Sequence, residues 1–387
     1  MNAPSRASAD GLYIGLISGT SMDGVDAVLV RVEGSRLQHV GALTYPYPAT
    51  LSSALHRTIL PQAQLDLPTF SRLHVEVGAC FADAVDALLT RTGTSSSQVA
   101  ALGSHGQTIY HAPVGDHPYT LQIGNPASIA ARTGIVTVAD FRAMDVAYGG
   151  EGAPLVPGFH AWVLSHSTEN RVILNIGGIA NLSLLPAGSS VPQLGYDTGP
   201  GNCLMDAWCA RHRGAAYDAD GAWAGSGTPD EALLQELLKA PYYGAPPPKS
   251  TGRETFNLEY LDQVLAVPAF AGLKPVDVQA TLLRLTVETI ARDIQRAGPD
   301  WAAGVFVCGG GARNGRLMAA LSTRLAPVPV ATTASLGLDP DMVEASAFAW
   351  LAWMRLSGRP VPLTTGEGQR ALLLGCVYEP TPGYASA

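Results

Sequence analysis

Three short glycine-containing stretches carry side chains that could bind a phosphorylated ligand. In the first, two hydroxyls and a carboxylate lie between two glycines, in the order Gly19, Thr20, Ser21, Met22, Asp23, Gly24, with Val25 and Asp26 following. Backbone amides in such a turn can hold phosphate oxygens, and a nearby carboxylate can hold Mg²⁺ through water. Asp23 is favoured over Asp26 by its place in the loop, but the choice stays open. A decorated hairpin turn is the structural alternative.

The other two stretches repeat or complement this pattern. The second contains Asn175, Gly177 and Gly178 between two apolar runs, so both it and the first read as strand–turn–strand. The third is Gly309, Gly310 and Gly311, which closes an apolar strand and opens a helix. The first stretch matches neither a P-loop nor a Rossmann turn. Together they predict two phosphate turns and a nucleotide loop, although a tight crossover would also explain the third.

The elements that must position these loops alternate between strand and helix. Apolar runs predict strands at 12–17, 26–32 and 135–139, and spacing of about 3.6 residues predicts helices across 50–93, at about 126–133 and at 276–297. The stretch "GSHGQT" reads as a glycine-containing turn after a short strand. This alternation predicts an α/β fold with mixed sheets, and the two strand–turn–strand units hint at two related halves.

Bulk composition narrows the class of protein. The 387 residues are 47% hydrophobic and 14% charged, which predicts two compact domains and argues against disorder. A net charge of −8 without a Lys/Arg cluster argues against a nucleic-acid partner. No apolar run is long enough for a membrane span, and five scattered cysteines without a secretory signal favour reduced thiols. We therefore expect a cytoplasmic protein with no membrane partner.

Eight ordered motifs carry a closer resemblance. The chain resembles anhydro-N-acetylmuramic acid kinases of bacterial cell-wall recycling, from about residue 12 to about 380, in "GLISGTSMDGVDAVLV", "GSHGQT", "QIGNP", "ADFRAMDVAYGGEGAPLVP", "LNIGGIANLS", "GYDTGPGNCLMDAW", "KSTGRETFN" and "VCGGGARNGRLM". The resemblance implies a two-domain actin-like ATPase (ribonuclease H-like) fold with the nucleotide in an interdomain cleft. We expect domain I at 1–139 plus about 363–387 and domain II at 140–362. It also implies ATP and Mg²⁺ as cofactors, and a homodimer.

The implied reaction opens a 1,6-anhydro amino sugar with water and phosphorylates O6. Because the internal ether leaves no free 6-hydroxyl, a carboxylate must act as base for the water. The resemblance assigns this role to Asp197 in "GYDTGPGN", where an Asx-turn is the structural alternative. It also places Glu344 at the site, to order the substrate or water. A carboxylate that only compensates a helix dipole is the alternative for Glu344.

Polar side chains from several motifs are candidates for binding the sugar: His105, Gln107, Asn125, Asp140 and Arg142. Arg142 suits the lactyl carboxylate because a guanidinium matches a carboxylate with two hydrogen bonds. The alternatives are a turn histidine for His105 and a salt bridge to Asp145 for Arg142. The role of Lys249, Ser250 and Arg253 stays open, and an ordinary sugar kinase or a silent sensor of ATP or muropeptides are the rival functions.

Overall fold

The computed structural model describes residues 10–19, 22–59, 63–192, 194–298, 300–363 and 370–381. Thr20 and Ser21, predicted to add donors to the first turn, lie outside the described residues. The chain divides into two compact units. The first comprises the described residues up to Val163 together with those from Met342 onward, and the second runs from Leu164 to Asp341.

The first unit is built on a seven-stranded mixed sheet. Its strands are β1 Gly11–Ser18, β2 Gly24–Glu33, β3 Arg36–Pro46, β4 Val99–Ala112, β5 Tyr119–Ile123, β6 Thr137–Ala139 and, numbered in chain order, β14 Cys376–Tyr378. Its helices are α1 Ala49–Thr58, α2 Leu67–Thr92, α3 Pro126–Thr133, α4 Ala143–Ala147, α5 Val156–Leu164 and α12 Val343–Leu356. A separate antiparallel pair joins β12 Val361–Leu363 to β13 Arg370–Leu372.

The second unit is built on a five-stranded mixed sheet. Its strands are β7 Arg171–Ile176, β8 Ile179–Leu185, β9 Leu194–Pro200, β10 Gly304–Cys308 and β11 Val330–Thr332. Its helices are α6 Cys203–Arg213, α7 Glu231–Leu237, α8 Pro241–Gly244, α9 Leu258–Leu265, α10 Pro275–Arg296 and α11 Gly315–Leu325. Short 3₁₀ turns lie at Ser96–Gln98, Ala219–Gly221, Ala224–Ser226, Pro268–Phe270, Gly310–Arg313 and Thr333–Leu336.

The two sheets share one topology. In the first, β3, β2 and β1 are neighbours in antiparallel pairs, and β4 and β6 continue the sheet parallel to β1. In the second, β9, β8, β7, β10 and β11 repeat this order and these directions. This is the strand order of ribonuclease H-like domains. The predicted α/β fold with mixed sheets is confirmed, and the hint of two related halves has a structural counterpart.

Both predicted hairpins form because each apolar run pairs with the next across a short turn. β1 pairs antiparallel with β2, and β7 with β8. Both strands of each pair bury most of their side chains. Helix α2 is capped at its start by Asp66, whose side chain accepts a hydrogen bond from the Thr69 amide, and at its end by Gly93, with φ 65°. The predicted helices at 50–93, 126–133 and 276–297 are thus confirmed, the first as two helices.

The structure corrects two local predictions. The stretch containing His105 and Gln107 is part of the 14-residue strand β4 and is no turn, because Gly106, with φ 74°, bends the chain without ending the strand. The helix after Gly309 begins at Gly315, because the 3₁₀ turn Gly310–Arg313 intervenes.

The two units change over at 163/164 and 341/342, whereas the domain boundaries were predicted at 139/140 and 362/363. Helix α5 packs its aromatic side chains against α12, with ring centroids 5.9 Å apart for Phe159 and Trp350 and 5.4 Å apart for Trp162 and Trp353. The helices that come before and after the second unit in the chain, α5 and α12, therefore belong to the first unit. Among the described residues, no helix is both long and apolar enough to cross a membrane.

Helix α12 lies unusually close to the first sheet because two strands present glycines to it. A Cβ added at Gly15 of β1 would overlap the carbonyl oxygen of Ala345, and one added at Gly103 of β4 would overlap that of Phe348. Eleven of the 14 residues of this helix are buried, so it cannot move away at little cost. This contact fixes the first turn of α12, which carries Glu344.

Gly15→Ala should therefore destabilise the first unit. Overpacking of a tight core contact costs about 1–3 kcal/mol, and here the obstacle is backbone, so we expect the upper part of that range. Chemical denaturation measures the free energy of unfolding. Gly11→Ala on the same strand is the matched control, because its added Cβ would meet only the Ala100 Cβ at 3.7 Å. Equal stability of the two variants would contradict the assignment of close packing.

Candidate active site

Asp197 lies in the middle of strand β9, where the sheet fixes its backbone. It pairs with Asn181 of β8, and its amide donates to the carbonyl oxygen of Lys249 at 3.0 Å. The side chain is half-buried. The Asx-turn alternative is therefore wrong for Asp197, since the residue belongs to a strand.

The carboxylate of Asp197 is oriented by the segment that begins at Lys249. The Ser250 hydroxyl donates to its Oδ2 at 3.1 Å, and the Thr251 amide donates to the same oxygen at 3.0 Å. The Tyr242 hydroxyl donates to the backbone carbonyl of Asp197 at 2.7 Å. Donors on a carboxylate oxygen favour its ionised form, which is the form that can accept a proton.

The second glycine turn is joined to the chain that follows Asp197. The Gly178 carbonyl accepts hydrogen bonds from the amides of Gly201 at 2.9 Å and Cys203 at 3.0 Å, and the Gly177 carbonyl accepts from the Asn202 amide at 2.8 Å. A Cβ at Gly201 would overlap the carbonyl oxygen of Gly177. The turn at 177–178 and the end of β9 therefore form one hydrogen-bonded edge of the second sheet.

The third glycine stretch reaches the same edge, because β10 runs parallel to β7 and pairs Cys308 with Asn175. Two of its glycines have a packing role: added Cβ atoms would overlap Asn175 Oδ1 at Gly309 and the Ile176 side chain at Gly311. Gly310 has open space around its Cα. The crossover alternative thus accounts for Gly309 and Gly311, and the nucleotide role of the stretch stays a prediction.

Asn175 presents a polar atom at this edge. Its side-chain oxygen is buried, and in the part of the chain that the structure describes it has no hydrogen-bond partner. A buried amide oxygen without a donor is costly in an apo protein. A ligand or a water bound with it could supply the missing donor.

The first glycine turn is fixed from its own sheet. Gln107, which is buried, donates from Nε2 to the carbonyl of Gly19 at 3.2 Å and accepts from the Ser18 hydroxyl at 2.6 Å. Met22 has φ 52°, a left-handed conformation that is strained for a side chain of this size. Gln107 therefore supports the turn, whereas its predicted contact with the sugar stays a prediction.

The two candidate metal-side carboxylates differ in exposure. Asp23 is exposed next to Met22, whereas Asp26 is half-buried at the start of β2 and accepts from the Thr44 hydroxyl at 2.6 Å. In the described residues, no group of three or more His, Cys, Asp or Glu side chains could hold a metal ion. Mg²⁺ commonly takes only one or two protein carboxylates beside water and phosphate oxygens.

Half-buried Arg142 and buried His105 form a hydrogen-bonded pair in the first unit. Arg142 donates from Nε to His105 Nε2 at 3.0 Å and from Nη1 to the Gly152 carbonyl at 2.7 Å. Burial lowers the pKa of His105 well below its ordinary value, and the positive charge of Arg142 lowers it further. Burial also lowers the pKa of Arg142 to about 10, against the opposing effects of Glu344 and Asp145. Asp145 itself pairs with Arg370 at 3.2 Å.

Glu344 belongs to the same electrostatic group. It lies half-buried in the first turn of α12, where desolvation raises its carboxyl pKa, Arg142 lowers it and Asp26 raises it. A carboxylate in a first helical turn also compensates the helix dipole. The charges of Arg142, Glu344 and Asp26 are therefore coupled within the first unit.

Two further candidates have distinct local roles. Asp140 has φ 58° at the end of β6, and such strain in a non-glycine residue is typical of functional sites. Asn125 caps helix α3, since its side-chain oxygen accepts from the Ser128 amide at 3.0 Å. Predicted sugar binding by both residues stays a prediction, and for Asn125 the cap is a sufficient structural reason.

Asp293 and Tyr242, which hold Asp197 in place through Lys249 and through the Asp197 backbone, were not identified from the sequence. Asp293 of α10 is buried and pairs with Lys249, and Tyr242 bonds to the Asp197 backbone. One available signal is the position of Asp293 in α10, next to Ile294 and three residues from Ile290, both of which are buried. Tyr242 carries no comparable signal.

Comparison with known protein families decides the class. Residues 11–380 match the family described as anhydro-N-acetylmuramic acid kinase. The chain belongs to this family. As a member it is a kinase, and the resemblance read from its motifs is confirmed. The homodimer expected of the family stays a prediction.

Several solved structures are similar to this chain at low sequence identity. An activator of 2-hydroxyisocaproyl-CoA dehydratase from Clostridium difficile with bound ADPNP is 11% identical over 90% of this chain and 96% of its own, with a TM-score of 0.46. A ROK family glucokinase from Streptomyces griseus with glucose and AMPPNP is 15% identical over 88% and 99%, with a TM-score of 0.38. A ROK hexokinase from Thermus thermophilus is 16% identical over 88% and 99%, with a TM-score of 0.34.

The buried neutral state of His105 predicts a pH-dependent stability. The unfolded chain binds a proton at this residue below about pH 6.5, whereas the folded protein does not, so stability falls as the pH decreases. From pH 7.5 to pH 5.5, the free energy of unfolding of wild type should fall by about 1.4 kcal/mol because of this residue. His105→Gln should not show this part of the decrease. Denaturant titrations at the two pH values measure this difference. His117→Gln changes the histidine content equally at an exposed loop position, and identical pH dependence of wild type and His105→Gln would contradict the assignment.

Proposed function

We propose that this chain is an ATP-dependent kinase that opens the 1,6-anhydro ring of 1,6-anhydro-N-acetylmuramic acid and phosphorylates O6, as part of peptidoglycan recycling. The products would be N-acetylmuramic acid 6-phosphate and ADP. The observation that carries the proposal, beside family membership, is the carboxylate of Asp197, which accepts two hydrogen bonds at Oδ2 in the middle of strand β9. A carboxylate held in this way can accept a proton from the attacking water, as the base of an ordinary kinase accepts one from a hydroxyl, and family membership is what favours the anhydro sugar over an ordinary sugar.

The chemistry follows from the substrate. Water attacks C1 and transfers a proton to Asp197, and the C1–O6 bond breaks. O6 then bonds to the γ-phosphorus as the bond to the β-phosphate oxygen breaks and ADP leaves. Hydrolysis thereby creates the nucleophile that the phosphoryl transfer requires. General-base assistance of this kind contributes about 10²- to 10⁴-fold to the rate.

Phosphate binding is proposed for the glycine turns. In the first unit, the backbone at Gly19, Asp23, Gly24 and Val25 would donate to phosphate oxygens, together with the residues Thr20 and Ser21. In the second, Gly177 and Gly178 would do the same, and Gly310 has the open surroundings that a nucleotide needs. Positioning and neutralisation of charge supply most of the catalysis in phosphoryl transfer.

Magnesium fits this donor set. Mg²⁺ would be held by phosphate oxygens and by water bonded to Asp23 or Asp26. When bound, the ion neutralises charge on the phosphates. Asp23 is the better placed of the two carboxylates because it is exposed in the turn.

Sugar recognition is proposed for the polar group of the first unit. Arg142 would bind the lactyl carboxylate, and its bonds to His105 and Gly152 hold the guanidinium in place. Glu344 would order the substrate or the attacking water. Asp140 is supported by its strained backbone, whereas Gln107 and Asn125 would act mainly through the elements that they support.

The direct test is a coupled assay of ADP release. With Mg²⁺ and ATP, we expect ADP release to depend on 1,6-anhydro-N-acetylmuramic acid, and mass spectrometry should find the sugar heavier by one water and one phosphoryl group. Turnover of N-acetylmuramic acid or glucose in preference to the anhydro sugar would favour an ordinary sugar kinase. Absence of turnover with every sugar, despite ATP binding, would favour a sensor.

Asp197→Asn should lower kcat by at least about 100-fold, because the amide cannot accept the proton from water. The affinity for ATP, measured by isothermal titration calorimetry, should stay within about threefold of wild type. Asp262→Asn is the matched control: this exposed carboxylate pairs with Arg211 at the surface, where such pairs contribute little. Near wild-type kcat in Asp197→Asn would remove Asp197 as the base.

A further inference from the structure

Lys249 is exceptional among the lysines of this chain. The sequence contains three lysines, at 239, 249 and 274. Lys239 and Lys274 are exposed, whereas the side chain of Lys249 is only 5% exposed. Burial of an ammonium group is costly unless the charge is paired, so its retention calls for a reason.

The ion-pair partner of Lys249 is on helix α10. Its Nζ is 3.2 Å from Oδ2 of Asp293, whose side chain is 3% exposed, and 4.7 Å from the centroid of the Tyr242 ring. Arg296 approaches the other oxygen of Asp293 at 3.2 Å and donates to the carbonyls of Tyr243 and Ala245. Burial lowers the pKa of Lys249 and raises that of Asp293, and their mutual attraction opposes both shifts. Asp293 therefore binds Lys249 directly, and it binds the segment before Lys249 only through Arg296.

The backbone of the same lysine leads directly to Asp197. The Lys249 carbonyl accepts from the Asp197 amide, and the next two residues, Ser250 and Thr251, donate to the Asp197 carboxylate. One residue thus joins a buried ion pair on α10 to the three hydrogen bonds that orient Asp197. A purely stabilising pair would need no such continuity.

We propose that Lys249 is a positioning residue: its ion pair with Asp293 fixes residues 249–251 so that Ser250 and Thr251 hold Oδ2 of Asp197 in the orientation for proton transfer. This inference rests on the proposed function, in which Asp197 is the base. Misplacement of a reacting group by about 1 Å can cost up to about 100-fold in rate, which sets the size of the expected effect.

Lys249→Met removes the charge and keeps most of the volume. We expect kcat to fall roughly 10- to 100-fold, while KM for ATP and for the anhydro sugar stays within about twofold. Lys249→Arg, which can still pair with Asp293, should recover most of the lost kcat. Lys239→Met is the matched control, since Lys239 pairs only at the surface with Glu236, and it should keep wild-type kinetics.

Ser250→Ala provides a variant that is expected to fold, because Ser250 is exposed. Loss of its hydroxyl removes one donor that favours the ionised carboxylate. The charged groups on the supporting side, Lys249, Asp293 and Arg296, remain. The acidic limb of the kcat/KM profile should therefore move to higher pH, a change that a merely structural serine would not cause. Wild-type kcat and pH profile in both Lys249→Met and Ser250→Ala would overturn the inference.

Hydrogen exchange separates this inference from the proposed function. In Lys249→Met, the amides of Asp197 and Thr251 should exchange faster than in wild type and in Lys239→Met, whatever substrate the enzyme uses. Faster exchange together with a wild-type enzyme that does not turn over the anhydro sugar would contradict only the proposed function. Unchanged exchange with an active wild type would contradict only the positioning role.

Discussion

In the second unit, backbone and side-chain contacts together hold the carboxylate of Asp197 in a single orientation. Strand β9 fixes its backbone, and the segment from Lys249 to Thr251 fixes its side chain. Directly after this strand, the amides of Gly201 and Asn202 donate to the glycine turn at 177–178. Orientation of the carboxylate and the shape of the glycine turn are therefore set by one continuous set of backbone contacts, supported by the buried pair on α10.

The first unit meets a different constraint, the placement of charges in a mostly apolar interior. Glycines at 15 and 103 let α12 lie against the sheet, and this brings Glu344 into the electrostatic range of Arg142 and Asp26. Arg142 in turn is held by a neutral, buried His105. A guanidinium held in this way would lose little further side-chain entropy on binding a carboxylate, as proposed for the lactyl group.

Much of the fold could be predicted because its signals are local. Apolar runs and helical spacing located both hairpins and the helices α2, α3 and α10. The interpretation of "GSHGQT" as a turn was wrong because one glycine with positive φ can bend a strand without ending it. Gly309 and Gly311 are likewise explained by packing against β7, which no local pattern reveals.

The candidate site was less predictable because its contacts join distant parts of the chain. Asp197 was identified through its motif, whereas the ion pair between Lys249 and Asp293 depends on the packing of a loop against a helix. Gln107 and Asn125 also have structural roles that the sequence does not specify. Gln107 donates a hydrogen bond to the Gly19 carbonyl, and Asn125 caps α3. Side-chain chemistry restricts what a residue can do, and the tertiary contacts select among those possibilities.

In the proposed reaction, water opens the sugar ring before or as O6 is phosphorylated. Turnover of 1,6-anhydro-N-acetylmuramic acid with ATP in ¹⁸O-water, quenched with borohydride to fix the oxygen at C1, tests this directly. Ring opening by water should place one ¹⁸O at C1 and none in the transferred phosphoryl group, above the level in product that is merely incubated in labelled water. Product without label at C1 beyond that control, or with label in the phosphoryl group, would contradict it.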